Sequence, residues 1–236
     1  MNIDFHTIWR SIDMSDSRIT AKSIRQESAF ASNKVLRNTY ALLSVTLIFS
    51  ALMALTSTML NIGYGASLGC SVAALILIWF VLPRTANSAA GIAVVFAFTG
   101  LLGFGLGPVL NNYLSMANGA ELIATSMGGT AIIFFGLSGY ALITQRDFSF
   151  LGGFLFAGLI VVLLAALAGI FLQMPGLWLA INAAVILIFS GFILFDTGRI
   201  INGGQTNYIL ATTSLYLGIY NIFVSLLHLL GFASGD

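Results

Sequence analysis

Beyond residue 37, this 236-residue chain keeps four acids, Glu121, Asp147, Asp196 and Asp236, and three bases, Arg84, Arg146 and Arg199. Each is a candidate for chemistry because so few charges remain. Asp196 is the strongest. It follows directly on the apolar run 185–195, in Phe195-Asp196-Thr197-Gly198-Arg199. An acid closing a helix opposes the macrodipole, so a compensating group is expected. Arg199 offers one locally, three residues on; Arg84 offers one from another segment. A carboxylate inside a membrane or at its edge is a functional-site hypothesis by default. Asp196 is therefore a candidate cation or latch residue, and Asp196 with Arg84 a candidate latch pair.

Little else could do catalysis. The two histidines, His6 and His228, are far apart, and no HExxH, paired carboxylates or Cys–His arrangement occurs. No enzyme, no cofactor and no metal cluster is expected. His228 reads as a bundle-facing or interfacial histidine, since a lone titratable group without a partner is weak evidence. Glu121 opens an apolar run, where a carboxylate offsets the helix dipole. The single cysteine, Cys70, sits in an apolar stretch and serves as a small hydrophobe. Gly103-x-Gly105-x-Gly107 has no following Lys-Ser/Thr and no preceding strand, so it reads as helix packing and not as a phosphate cradle.

The elements that position these residues are set by the solvent. Charged residues are 7% and apolar residues 58%, whereas a soluble domain carries about 25% charged residues. Most of the chain must therefore face lipid. A net charge of +1 argues against nucleic acid as a partner. A spanning helix needs about 20 apolar residues. Seven runs qualify: 39–60, 65–82, 89–106, 120–143, 148–172, 177–195 and 208–231. The first begins too far in, and is too long, for a cleavable signal peptide. The last is polar, with Thr212, Thr213, Tyr216 and Asn221 as a candidate path. It belongs away from lipid, at the centre of the bundle. The predicted fold is an all-α membrane protein of seven transmembrane helices, a polar seventh helix within a ring of six.

The loops orient it. With the N-terminus inside, segments 1–38, 83–88, 144–147 and 196–207 hold all nine Lys and Arg. Segments 61–64, 107–119, 173–176 and 232–236 hold none. The positive-inside rule then predicts a cytoplasmic N-terminus and an external C-terminus. Three parts follow: a cytoplasmic tail 1–38, a membrane domain 39–231 and a short outside end 232–236. Pro83, Pro108 and Pro175 are expected at helix boundaries. Gly65-x-x-x-Gly69 and Gly103-x-x-x-Gly107 are expected at close helix contacts. In the tail, basic and acidic residues are interspersed. They either form a solvated segment that sets topology, or a handle that orders on a cytoplasmic partner. On the second reading Arg10, Arg18, Lys22 and Arg25 are the partner-binding residues.

The stretch Ile193-Leu194-Phe195-Asp196-Thr197-Gly198-Arg199-Ile200-Ile201, with Asn207-Tyr208-Ile209 and Ser214-Leu215-Tyr216-Leu217-Gly218-Ile219-Tyr220-Asn221-Ile222-Phe223, resembles the C-terminal signature of the Bax inhibitor family. Phe96-Ala97-Phe98-Thr99-Gly100, Gly107-Pro108-Val109-Leu110-Asn111-Asn112-Tyr113 and Asp147-Phe148-Ser149-Phe150-Leu151-Gly152-Gly153 are similar to further motifs of it. Lys34-Val35-Leu36-Arg37-Asn38-Thr39-Tyr40 and the ending from Asn221 to Ser234 resemble a bacterial subgroup in the inner (plasma) membrane. Its members modulate a membrane-anchored AAA+ protease of the FtsH type.

The resemblance implies a central seventh helix, a protease and its associated membrane proteins as partners, and a periplasmic C-terminus. In some members it also implies a pH-sensitive calcium leak, in which two aspartates share a proton and an arginine latches them. Asp196 matches the first aspartate and Arg84 loosely matches the arginine. Gly218 stands where the second aspartate would be. Two close carboxylates share a proton because both ionise only at high cost; a lone one beside an arginine has no such reason. The calcium switch is therefore the lesser expectation, and protease modulation the greater.

Overall fold

The computed structural model describes residues 33–234, apart from Gln173. Seven helices are long and apolar enough to cross a membrane. They are α1 (Asn33–Met59), α2 (Tyr64–Thr85), α3 (Ala89–Leu114), α4 (Gly119–Thr144), α5 (Leu151–Leu172), α6 (Pro175–Ile201) and α7 (Tyr208–Ala233). All seven predicted spans are present, and the described residues contain no strand. The tail residues Arg10, Arg18, Lys22 and Arg25 lie outside the described residues.

Helix boundaries follow local chemistry. Pro175 occupies the first turn of α6, where its missing N–H is no loss. Gln145 ends α4 in the left-handed region, φ 49°, and its N–H caps the carbonyl of Ala141. Asn207 caps α7: its Oδ1 accepts from the N–H of Ile209 (2.9 Å) and of Leu210 (3.1 Å).

Two prolines differ from expectation. Pro83 does not end α2. A π-helical turn, Leu77–Val81, precedes it, and the helix runs on through Leu82–Thr85. The wider turn accommodates the absent donor without stopping the helix. Pro108 does not end α3 either. The regular helix is interrupted at Leu106, and Pro108 sits in the first turn of a continuing segment, Gly107–Leu114.

α6 and α7 pack as a pair, and α4 lies against both. α7 also meets α3, while α2 pairs with α3. α5 joins the bundle against α6. Thus Leu155 on α5 is buried while Phe171 is 79% exposed, so most of that helix faces the bilayer. The main core cluster draws Leu43 from α1, Ala74 from α2, Phe98 from α3, Phe134 from α4, Ile193 from α6 and Leu215 and Tyr216 from α7. No water competes for backbone groups at this depth, so helices satisfy them internally and small side chains set how closely they approach.

The glycine pairs divide. A Cβ at Gly103 would stand 2.2 Å from the carbonyl of Ser50, and one at Gly107 2.0 Å from Oγ of Ser57. α1 thus lies directly on bare backbone of α3, as packing required. Gly65 and Gly69 meet nothing within 4 Å. They face outward on α2, so the first pair makes no close contact among the described residues.

Candidate functional site

Asp196 lies inside α6, five residues before its end at Ile201. The span expected to end at Phe195 continues for six more residues to Ile201, about 9 Å at 1.5 Å per residue. The carboxylate is satisfied across the helix pair. Ser214 on α7 donates its hydroxyl to Oδ2 of Asp196.

Both candidate arginines are engaged elsewhere. Arg84 Nη1 donates to the carbonyl of Phe80 on its own helix. Arg199 Nη2 donates to the carbonyl of Gly204 at 3.1 Å, with its guanidinium 5.4 Å from the Phe195 ring centroid. Among the described residues, neither donates a hydrogen bond to Asp196. The residue that does, Ser214, stood inside the recognised signature but carried no charge to draw notice. It was legible only as a position near α6, which sequence spacing alone does not supply.

Gly218 lies one turn beyond Ser214 on the same face of α7. A Cβ there would sit 3.0 Å from Cγ1 of Ile193 on α6. The glycine lets the two helices close at the level above the carboxylate, where a larger side chain would hold them apart.

The polar residues of α7 do not form one row. Thr212 Oγ1 donates to the carbonyl of Tyr208 (2.7 Å) and approaches that of Thr39 on α1 (3.2 Å). Tyr216, one turn on, shares a 2.6 Å hydrogen bond with Ser50 on α1 and donates to the carbonyl of Thr99 on α3 at 3.2 Å. Thr213 donates to Ile209 of its own helix and Asn221 to Leu217 of its own helix. Thr212 and Tyr216 therefore face α1 and α3, whereas Ser214 and Gly218 face α6, roughly half a turn away at 100° per residue. The first pair ties three helices together; the second holds the carboxylate. Among the described residues, no three of His, Cys, Asp and Glu gather closely enough to hold a metal ion.

Asn207 was missed as a working residue. Besides capping α7, its Nδ2 donates to the carbonyl of Ala86 (2.9 Å) and to Oδ1 of Asn87 (2.8 Å). One side chain thus joins the α2–α3 loop to the start of α7. Asn202, at the end of α6, in turn reaches the α4–α5 loop, donating to the carbonyl of Arg146 at 3.3 Å. The signal available in the sequence was an Asn immediately before an apolar run.

Seven apolar helices, with a lone carboxylate held between the last two, define a polytopic α-helical membrane protein. The chain belongs to the family described as Inhibitor of apoptosis-promoting Bax1, whose model matches residues 32–235. Among its relatives are the modulator of FtsH protease YccA of Escherichia coli K12 and the inner membrane protein YccA of Escherichia coli O6:H1. Each is 53% identical over 219 residues, covering 93% of this chain and 99% of the relative. A membrane protein of Vibrio cholerae serotype O1 is 48% identical over 210 residues, 89% of this chain and 94% of its own.

Proposed function

We propose that this chain is an inner-membrane modulator of a membrane-anchored AAA+ protease of the FtsH type, engaging it through the cytoplasmic tail. The observation that carries this reading is the 53% identity, maintained over nearly the full length of both chains, to a relative named as a modulator of FtsH protease. The nine-to-zero division of Lys and Arg between loop sets supports a cytoplasmic tail and a periplasmic C-terminus.

The mechanism is competition. An AAA+ motor engages a tail and pulls. Behind this tail lie seven packed spans, each of which would expose a long apolar helix to water on extraction. The tail is therefore captured readily while the bundle yields slowly, and the machine is occupied. Arg10, Arg18, Lys22 and Arg25 supply the basic contacts of the tail. Asp196 and Ser214 serve this function indirectly, by locking α6 to α7 and raising resistance to extraction.

The test is deletion of residues 1–30, with degradation of a second membrane substrate as the readout. The truncated protein should remain folded in the membrane and no longer slow that degradation. Continued slowing by the truncated protein would overturn the tail as the point of engagement. A cation leak would not depend on the tail, so calcium flux in liposomes that persists without it, and vanishes in Asp196→Asn, would point to the second activity.

A further inference from the structure

A cavity of about 460 Å³ opens between α1 and α4, with α7 as its back wall. On α1 its lining runs from Tyr40 to Leu55, about 22 Å at 1.5 Å per residue. The walls are almost wholly carbon. Small residues, Ala51 on α1 and Ala131 on α4, make the space. Leu55 and Met127, each 55% exposed, and Phe135, 67% exposed, stand at its rim. The cavity is thus open sideways, toward the bilayer and not toward water.

The cleft is elongated and apolar, a shape that suits an extended polymethylene chain. The volume also lies within the usual range for small-molecule sites, which are mostly apolar with a few polar anchors.

The polar anchors are at one end. The hydroxyl of Tyr40 is buried and has no hydrogen-bond partner among the described residues. Its ring meets Phe134 of α4 at 5.9 Å, tying the two helices where the cavity begins. Helix side chains lean toward the N-terminus, so this phenol points to the membrane edge where α1 starts. Exposed Arg37 stands one turn nearer that edge, on the same face as Tyr40, Ser44 and Ala51. Lys34, also exposed, lies a further turn out.

We infer that this cleft is a seat for one anionic phospholipid: an acyl chain lies between α1 and α4, Tyr40 donates to the lipid's ester or phosphate oxygen, and Arg37 and Lys34 hold the headgroup charge. The hydroxyl, covered by protein in the free chain, gains an acceptor once its ring turns toward the cleft, and the basic pair gains its counter-charge at the interface, where such attraction is strongest. The lipid would contact Ile219, Tyr220 and Phe223 of α7, so its presence bears on the helix whose Ser214 bonds Asp196.

Native mass spectrometry of the full-length protein, released from detergent, tests this with defined phosphatidylglycerol and phosphatidylethanolamine. The wild type should retain one phospholipid and prefer phosphatidylglycerol. Ala51→Trp fills the cleft from an exposed position and should cut retention about tenfold, with its thermal unfolding midpoint as a check on folding. Arg37→Gln should leave the chain seated but reduce the preference for phosphatidylglycerol about fivefold, as expected for one basic residue at the surface. Tyr40→Phe should weaken both lipids without altering the preference. Equal retention by folded Ala51→Trp would overturn the proposal, as would an unchanged headgroup preference in Arg37→Gln. Loss of a bound protein partner in Ala51→Trp, with lipid retention intact, would also overturn it and assign the cleft to a helix of that partner.

Discussion

Ser214 and Asp196 join the last two helices through a single side-chain hydrogen bond, hydroxyl to Oδ2. The bond lies inside the bundle and not at a loop, because α6 continues past the carboxylate to Ile201. The pair is therefore part of the packing of α6 on α7, and any role for Asp196 begins from that contact.

Removing the donor should be costly. Ser214→Ala leaves a membrane-buried carboxyl without its partner, a loss of about 1–3 kcal/mol. Asp196→Asn keeps an acceptor for the hydroxyl and should lose less. Thermal unfolding in detergent separates them, and a double-mutant cycle should give a non-zero coupling between the two positions. Additive effects would mean that the contact contributes nothing.

Asn207 offers a graded series. Asn207→Ala removes a helix cap, typically about 1 kcal/mol, together with the two bonds to Ala86 and Asn87. Asn207→Asp keeps the acceptor that caps α7 but loses the amide donors and places its charge beside Oδ1 of Asn87. Its unfolding midpoint should fall between those of the wild type and the alanine variant. A midpoint at or below that of alanine would assign the main role to the loop bonds and not to the cap.

The number and rough limits of the spans were legible because twenty apolar residues without charge have one stable home. The polar seventh run was legible too, since Thr212, Thr213 and Tyr216 stood out against lipid-facing neighbours. What could not be read was direction. Thr212 and Tyr216 turn to α1 and α3 while Ser214 turns to α6, and only packing decides which face meets which helix. Pro83 misled for a similar reason. Proline removes one donor, but a π turn spreads that loss over its neighbours, and nothing in the local sequence marks it. Arg84 was expected to latch because it lies at the inner end of the second span and loosely matches the family's arginine; here its guanidinium donates to a carbonyl of its own helix.

Gly103 and Gly65 form a matched contrast. A methyl at Gly103 would stand 2.2 Å from backbone of α1, which cannot move aside as a side chain would. Gly103→Ala should cost about 1–3 kcal/mol. Gly65→Ala meets open space in an α-helix and should be neutral or slightly stabilising, by up to about 1 kcal/mol. Equal losses at the two sites, measured by detergent unfolding, would mean that Gly65 is covered, as it would be by a second chain.

Asp147 gives a pH signature outside the membrane. It accepts the backbone N–H of Ser149 at 2.8 Å in the α4–α5 loop. That backbone bond first, then the bond from the Ser149 side chain, hold its carboxyl below the ordinary value of 3.8. A lowered folded value means the contribution is fully present above 3.8 and is lost as pH falls through the folded value. The wild type should therefore lose loop order in acid over that window, followed by carboxyl chemical shift. Asp147→Asn should remove the dependence. The group is fully exposed, so the effect on global unfolding should be slight. A carboxyl titrating above 3.8 would contradict the contact.

Topology decides whether the tail can reach a cytoplasmic motor at all. Cys70 is the only cysteine, so Cys70→Ser gives a clean background for single cysteines. Ser88, Arg146 and Thr206 are exposed in the loops after α2, α4 and α6, while Ser115 and Met174 are exposed in those after α3 and α5. In intact cells whose outer membrane has been made permeable, an impermeant thiol reagent should modify cysteines at 115 and 174. It should spare those at 88, 146 and 206 until the inner membrane is opened. The reverse pattern would put the tail in the periplasm, where no AAA+ motor could grip it. The charge asymmetry makes that arrangement costly, because each of the nine bases would have to cross the hydrocarbon during insertion.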